Sequence, residues 1–278
     1  MALKTIVVVL HDEETADRAL DVAGALAAKW DGHLIGVHAE PLPMPIASPM
    51  GFPDASMMSA EQDFGRARAE KLEKLFQTRM EREAVAFEWR AMRSFSGDSA
   101  LSALEMARCA DLVVAAQPQG DGASGTPDIE TLIQSGGRPV LLAPLAGTVS
   151  TDVRRIVLAW NGSRQSARAA FDALDMIVAA EETTILTVDP VENPGEAGPL
   201  PGTEIAAALA RHGARVTVEH AASGDRSVAR TLADVVAEKK AGLLVVGAFS
   251  HSRLKEMFFG GTTRTLLAEP PCLTLFAR

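Results

Sequence analysis

Residues 246–263 have the sequence Val-Gly-Ala-Phe-Ser-His-Ser-Arg-Leu-Lys-Glu-Met-Phe-Phe-Gly-Gly-Thr-Thr and follow the apolar run Leu243–Val245. Aliphatic residues that end at Gly247 predict a buried parallel strand entering a loop. At the far end, Gly260–Thr263 place small and hydroxyl-bearing residues before apolar ones, which predicts the start of a helix. Because a helix N-terminus offers unpaired backbone N–H groups and the positive end of a dipole, this stretch suits a phosphate group. The alternative is a tight connection without a ligand.

Strands and helices alternate around this stretch in both halves of the chain. The second half has five predicted strands, at residues 154–160, 184–188, 215–219, 243–246 and 272–276. The first half has five as well, at residues 4–10, 34–38, 84–91, 112–116 and 138–143. Strands joined through helices predict an α/β fold with two tandem, doubly wound, Rossmann-like domains, each with a parallel sheet.

Landmarks recur in the same order in the two halves, which indicates a duplication. Ser96-Gly97-Asp98 corresponds to Ser223-Gly224-Asp225, and each tripeptide opens a predicted helix. The sequence therefore predicts one domain at residues 1–147 and a second at residues 148–278. A length of 278 residues agrees with two domains.

The first half is longer because of a proline-rich stretch. Residues 41–58 contain five prolines, which exclude a regular helix or a central strand. We expect a long surface excursion, either a passive insertion or a flap over a site. Residues 59–82, which follow it, predict a charged and exposed helix.

The loop after the fourth strand of the second half resembles the nucleotide-loop signature of the universal stress protein family, Gly-x2-Gly-x9-Gly followed by Ser or Thr. Gly247 and Gly260 match the signature. Ser250 stands in place of the second glycine, Gly261 stands in place of the first hydroxyl, and Thr263 matches a hydroxyl two residues further on. The order of elements extends the resemblance over nearly the whole chain, so the protein is similar to a tandem, two-domain member with an adenine-nucleotide α-hydrolase-like fold.

The resemblance implies an adenine-nucleotide site in the second domain, with ATP as the expected ligand. Adenine is expected near Val188 and the turn Trp160-Asn161-Gly162-Ser163. Phosphate and ribose are expected at the motif loop, through Val246, Gly247, Ser250, His251, Arg253, Gly260, Gly261, Thr262 and Thr263. Mg²⁺ is expected to come with ATP, although Asn161 replaces the Asp that is common in nucleotide-binding members and lacks its charge. For Asn161-Gly162 the alternative is a simple turn.

The first half carries no such motif. Its loop at residues 116–127 has glycines at other spacings, and Asp121 and Asp128 follow the strand. Because carboxylates near a phosphate would repel it, we predict that the first domain does not bind a nucleotide. The resemblance implies that this domain completes a pseudo-symmetric pair in which strand 140–143 meets strand 272–276, and that two chains form a homodimer.

Composition narrows the class of partner. The formal net charge is −9 and no basic block is present, which argues against nucleic acid as the main partner. No apolar run reaches the length of a membrane span. Two cysteines make no disulfide framework and predict a cytoplasmic, reducing environment.

Two other functions compete with nucleotide binding. One is an interaction or scaffold protein that acts through dimer and partner surfaces, a hypothesis favoured by the departures at Asn161, Ser250 and Gly261. The other is an adenylate-forming enzyme, which needs a base or nucleophile at the α-phosphate, and no residue pattern predicts one. We expect no catalytic residue and at most a slow, incidental hydrolysis of ATP.

Overall fold

The computed structural model describes residues 3–42, 55–118, 127–147, 149–151, 153–190, 200–249 and 261–278. These residues form two compact units, Leu3–Gly136 and Gly137–Arg278. The strand at 140–143, expected to be the last of the first half, therefore belongs with the second unit. The domain ranges 1–147 and 148–278 remain a prediction about the two halves of the sequence.

The unit Leu3–Gly136 is a parallel sheet with the strand order β3-β2-β1-β4. Its strands are β1 (Thr5–Val9), β2 (His33–Pro41), β3 (Ala86–Ser94) and β4 (Leu112–Ala116). Its helices are α1 (Glu13–Trp30), α2 (Ala55–Arg82), α3 (Ser99–Ser102), α4 (Leu104–Arg108) and α5 (Ile129–Ser135). All five residues of β4 are buried, as expected for a strand whose two faces are covered by helices.

The unit Gly137–Arg278 has the strand order β8-β7-β6-β9-β10-β5, in which only β5 runs antiparallel to its neighbour. Its strands are β5 (Val140–Ala143), β6 (Arg155–Ala159), β7 (Glu182–Val188), β8 (Val216–Ala221), β9 (Leu243–Gly247) and β10 (Leu273–Ala277). Its helices are α6 (Arg164–Asp172), α7 (Leu174–Ala179), α8 (Thr203–Arg211), α9 (Val228–Lys239) and α10 (Gly261–Ala268).

Two expectations about the architecture are confirmed. The chain is an α/β protein in which mostly parallel strands alternate with helices. The predicted meeting of the two final strands is also observed, because β5 pairs with β10 and Leu142 lies opposite Thr274.

Helix α2 differs from its prediction. It begins at Ala55, inside the stretch expected to be irregular, and residues 43–54 of that stretch lie outside the described part of the chain. One face of its second half is buried, because Leu72, Phe76 and Met80 are at most 1% exposed. This stripe recurs every four residues and packs on the sheet, whereas the many charges elsewhere on the helix suggested full exposure.

A partly buried ion pair joins α2 to the end of β2. Arg68 donates from Nε to Glu40 Oε1 at 2.7 Å and from Nη2 to Glu40 Oε2. His38 Nε2 also contacts Glu40 Oε1, at 2.8 Å. Burial by itself raises the pKa of Glu40, but the hydrogen bonds and positive charge from Arg68 and His38 outweigh it and lower that pKa.

Within the described ranges, no helix combines the length and the apolar character that crossing a membrane requires.

Candidate functional site

The strand order of the second unit reverses between β6 and β9. The chain leaves β6 towards β7 on one side and returns through β8 and α9 to β9 on the other side. Ala159 and Val246 lie opposite each other at the carboxyl ends of these two strands. Open α/β sheets bind ligands outside the carboxyl ends of their strands at such a reversal. The candidate site therefore lies where the turn after β6 meets the end of β9.

The turn after β6 is built by its own side chains. Asn161 Oδ1 accepts a hydrogen bond from Ser163 N at 3.1 Å, and Gly162 has a φ of 71°, in the left-handed region. Ser163 is the N-cap of α6, because its Oγ accepts from Ser166 N at 3.1 Å. The side-chain oxygens of Asn161 and Ser163 thus stabilise the turn and the helix, as the simple-turn alternative for Asn161-Gly162 expects.

Gly247 allows the two loops to come together. A Cβ placed on it would lie 2.4 Å from Ser166 N and 2.5 Å from the carbonyl carbon of Gln165. The end of β9 therefore lies directly against the backbone of the first turn of α6. Trp160 is half-buried, and Val246 is buried. The structure thus brings the residues predicted after β6 next to those predicted at the end of β9.

The start of α10 is also close to the end of β9. Thr263 is buried, and its Oγ1 accepts from Phe249 N at 3.4 Å. Gly261 is exposed and Thr262 is half-buried. The hydroxyl that matches the family signature thus connects the helix to the first residues of the loop. Four predicted site residues lie outside the described part of the chain: Ser250, His251, Arg253 and Gly260.

The end of β7 forms the third side of this edge. Val188 is half-buried, and Asp189 follows it with a φ of 48°. Asp189 accepts hydrogen bonds from Ser223 N at 2.8 Å and from Ser223 Oγ at 2.6 Å. These two bonds lower the pKa of the Asp189 carboxyl group. Ser223 was not predicted as a site residue, although its tripeptide marked the duplication.

The equivalent edge of the first unit carries carboxylates at its helix N-termini. Asp12 caps α1 by accepting from Thr15 N at 2.8 Å, and Asp128 caps α5 by accepting from Thr131 N at 2.8 Å. A cavity of about 30 Å³ lies at this edge, and Asp12 lines it. Asp121, the other predicted carboxylate, lies outside the described residues. In the parts of the chain that the structure describes, no group of three or more His, Cys, Asp or Glu residues is arranged to hold a metal ion.

Residues 152–278 match the model of the universal stress protein family. This half of the chain belongs to that family. The resemblance noted at the motif loop is therefore confirmed where the motif lies. No curated protein matches the sequence.

Solved structures extend the fold to the whole chain. A universal stress protein from Archaeoglobus fulgidus DSM 4304 is 14% identical and has a TM-score of 0.69, and the match covers 98% of this chain and 96% of that protein. A functionally unknown protein from Pseudomonas aeruginosa PAO1 is 17% identical and has a TM-score of 0.57, and the match covers 99% of this chain and 92% of that protein. The cytoplasmic domain of a prokaryotic cation chloride cotransporter is 11% identical and has a TM-score of 0.50, and the match covers 99% of this chain and 95% of that domain. At these identities the similarity shows the fold alone.

Proposed function

We propose that the C-terminal universal stress domain binds an adenine nucleotide, ATP with its Mg²⁺, as a regulatory or stress-response ligand. The observation that carries the proposal is the meeting of three segments at one sheet edge: the turn after β6, the end of β9 and the start of α10. Gly247 makes this possible by letting β9 approach the backbone of α6 within a distance that a Cβ would not tolerate. Such a reversal point beside a helix start suits a nucleotide.

The contrast between the two units supports the proposal. At the edge of the first unit, the carboxylates of Asp12 and Asp128 already accept from the N-terminal amides of α1 and α5. In the second unit, the described cap of α6 is a neutral hydroxyl, Ser163. Because a carboxylate at a helix N-terminus competes with and repels a phosphate, the nucleotide belongs to the second unit, and the first unit is assigned a structural role.

The proposal assigns the base to the side of Trp160 and Val188, and the phosphates to the start of α10, with Arg253 countering their charge. Asn161 uses its side-chain oxygen within its own turn, which favours a nucleotide held mainly by amides and side chains over one held through a metal. No catalytic residue is assigned. Cys109 and Cys272 are both free thiols, which fits a cytoplasmic protein.

A second candidate function is a scaffold that binds no nucleotide. It is favoured by the local use of Asn161 and Ser163 as turn and cap residues. The same fold in a cytoplasmic domain of a transporter also means that the fold by itself does not select a nucleotide-binding function.

The test is the binding of ATP by the full chain. The protein is purified without added nucleotide and denatured, and released small molecules are identified by mass spectrometry. ATP is then titrated by calorimetry into the parent, Gly260→Asp and Gly260→Asn. The two variants differ in charge and hardly in size. Because the Asp carboxylate at the helix N-terminus repels the phosphates, Gly260→Asp should lose at least about tenfold more affinity for ATP than Gly260→Asn. If the parent does not bind ATP at millimolar concentration, the nucleotide proposal is wrong and the scaffold function remains.

A further inference from the structure

Strand β3 is the outer strand of the unit Leu3–Gly136. It stands at the end of the strand order, is nine residues long, and has no strand on its outer side among the residues that the structure describes. An edge strand with unpaired backbone N–H and C=O groups is a template for pairing with another chain. Strand β8, which stands at one end of the strand order of the other unit, is shorter, at six residues.

The hydrogen bonds with β2 establish which residues of β3 face outwards. Leu42 N donates to Ser94 O at 2.8 Å, so the backbone groups of Ser94 point towards β2. Backbone groups along a strand alternate between its two neighbours. The groups that point to the open edge therefore belong to Phe87, Trp89, Ala91 and Arg93.

The charges of β3 are self-complementary. Glu88 and Arg90 lie on the same face of the strand, with Arg90 Nη2 2.6 Å from Glu88 Oε2. Two copies of β3 that pair antiparallel about a twofold axis must match outward-facing residues with each other. The register centred on Trp89 does so, and it places Glu88 opposite Arg90 of the second copy on both sides of the axis.

The neighbouring registers are unfavourable. Moving the twofold axis by one residue in either direction keeps outward-facing residues matched, but it places Glu88 opposite Glu88 or Arg90 opposite Arg90. Like charges directly opposite each other destabilise a strand pair, whereas opposite charges stabilise it. The charge pattern thus favours the register centred on Trp89 over the two registers next to it.

Large apolar side chains are exposed along the same edge. Phe64 of α2 and Phe95, just after β3, are each 78% exposed, and Met92 is 37% exposed. A groove of about 450 Å³ lies between α2 and the end of β3, and Phe64 and Met92 line it. Exposed apolar clusters with a polar rim mark surfaces that associate with other proteins.

We infer that the chain forms a homodimer by antiparallel pairing of β3 from two copies, centred on Trp89. The surface is independent of the proposed nucleotide site. The occupant is a second copy because the charge order of the strand, read in reverse, complements itself.

The test is a charge swap followed by sedimentation over a dilution series. Arg90→Glu and Glu88→Arg each replace two symmetric attractions with repulsions and should raise the dimer dissociation constant at least about tenfold. The double variant Glu88→Arg/Arg90→Glu restores the opposite charges and should return it to near the parent value. Arg230→Glu makes the same charge change at an exposed ion pair on α9 and should leave dimerisation unchanged.

Hydrogen exchange provides a second measurement on the unmodified protein. The outward amides of Phe87, Trp89 and Ala91 should exchange more slowly at high than at low protein concentration, because they donate across the dimer. A parent that stays monomeric at high concentration overturns the inference. So does a dimer that Arg90→Glu leaves intact, or a double variant that does not recover.

Discussion

Replacing Gly247 by Ala should destabilise the C-terminal domain strongly for so small a change. The added Cβ would lie 2.4 Å from Ser166 N, 2.5 Å from the carbonyl carbon of Gln165 and 2.8 Å from Ser166 Cα. Ordinary contacts begin near 3.4 Å, so the end of β9 and the first turn of α6 must separate by roughly 1 Å. Because all three atoms belong to a helix backbone, no side-chain rotation relieves the clash. Overpacking of this kind costs about 1–3 kcal/mol.

Urea denaturation followed by circular dichroism measures the effect, and Gly261→Ala is the matched control. A Cβ on Gly261 meets no atom of the described residues within 4 Å, so this variant should stay within about 0.5 kcal/mol of the parent. If Gly247→Ala is as stable as Gly261→Ala, the close approach of β9 to α6 does not require glycine and the reasoning is refuted. In the folded fraction, Gly247→Ala should also bind ATP more weakly, because the two loops of the proposed site move apart.

Three further predictions concern buried groups. The lowered pKa of Glu40 means that its pair with Arg68 stabilises the fold above the ordinary carboxyl pKa of 4.5 and that this contribution disappears as the pH falls through the folded-state pKa. When the free energy of unfolding is measured at a series of falling pH values, it should therefore decrease more for the parent than for Glu40→Gln. Thr183 is fully buried, and its hydroxyl has no hydrogen-bond partner among the residues that the structure describes. Thr183→Val should therefore raise the free energy of unfolding by roughly 1 kcal/mol, and a lowered value would contradict this expectation. Burial raises the pKa of the Cys272 thiol to about 12, so a thiol reagent at neutral pH should modify exposed Cys109 alone until the protein is denatured.

Strands with a strong local pattern were predicted well. The strand at 112–116 has the bounds expected from the sequence, and the strand expected at 184–188 ends at the same residue as β7. Both are short runs of aliphatic and β-branched residues. Such signals need no information from distant parts of the chain.

The candidate site was predicted less completely. The resemblance to the family implied that the turn after β6, the end of β9 and the start of α10 belong to one site. The contact between Asp189 and Ser223 was not predicted, because it joins residues 34 positions apart in the sequence. Gly247 was expected only to end the strand, whereas the structure shows that its missing side chain makes room for α6.

The sequence by itself determined the α/β class, the duplication and the location of the nucleotide-like motif, since each is written in local periodicity or in repeated landmarks. Only the tertiary structure decided that one face of the second half of α2 is buried, that β5 belongs with the second unit, and that carboxylates already cap the helix N-termini beside the first-unit edge. The physical reason is that burial and hydrogen-bond partners depend on which distant segments pack together. A local window of sequence contains the pattern of a segment but not the surface that the segment meets.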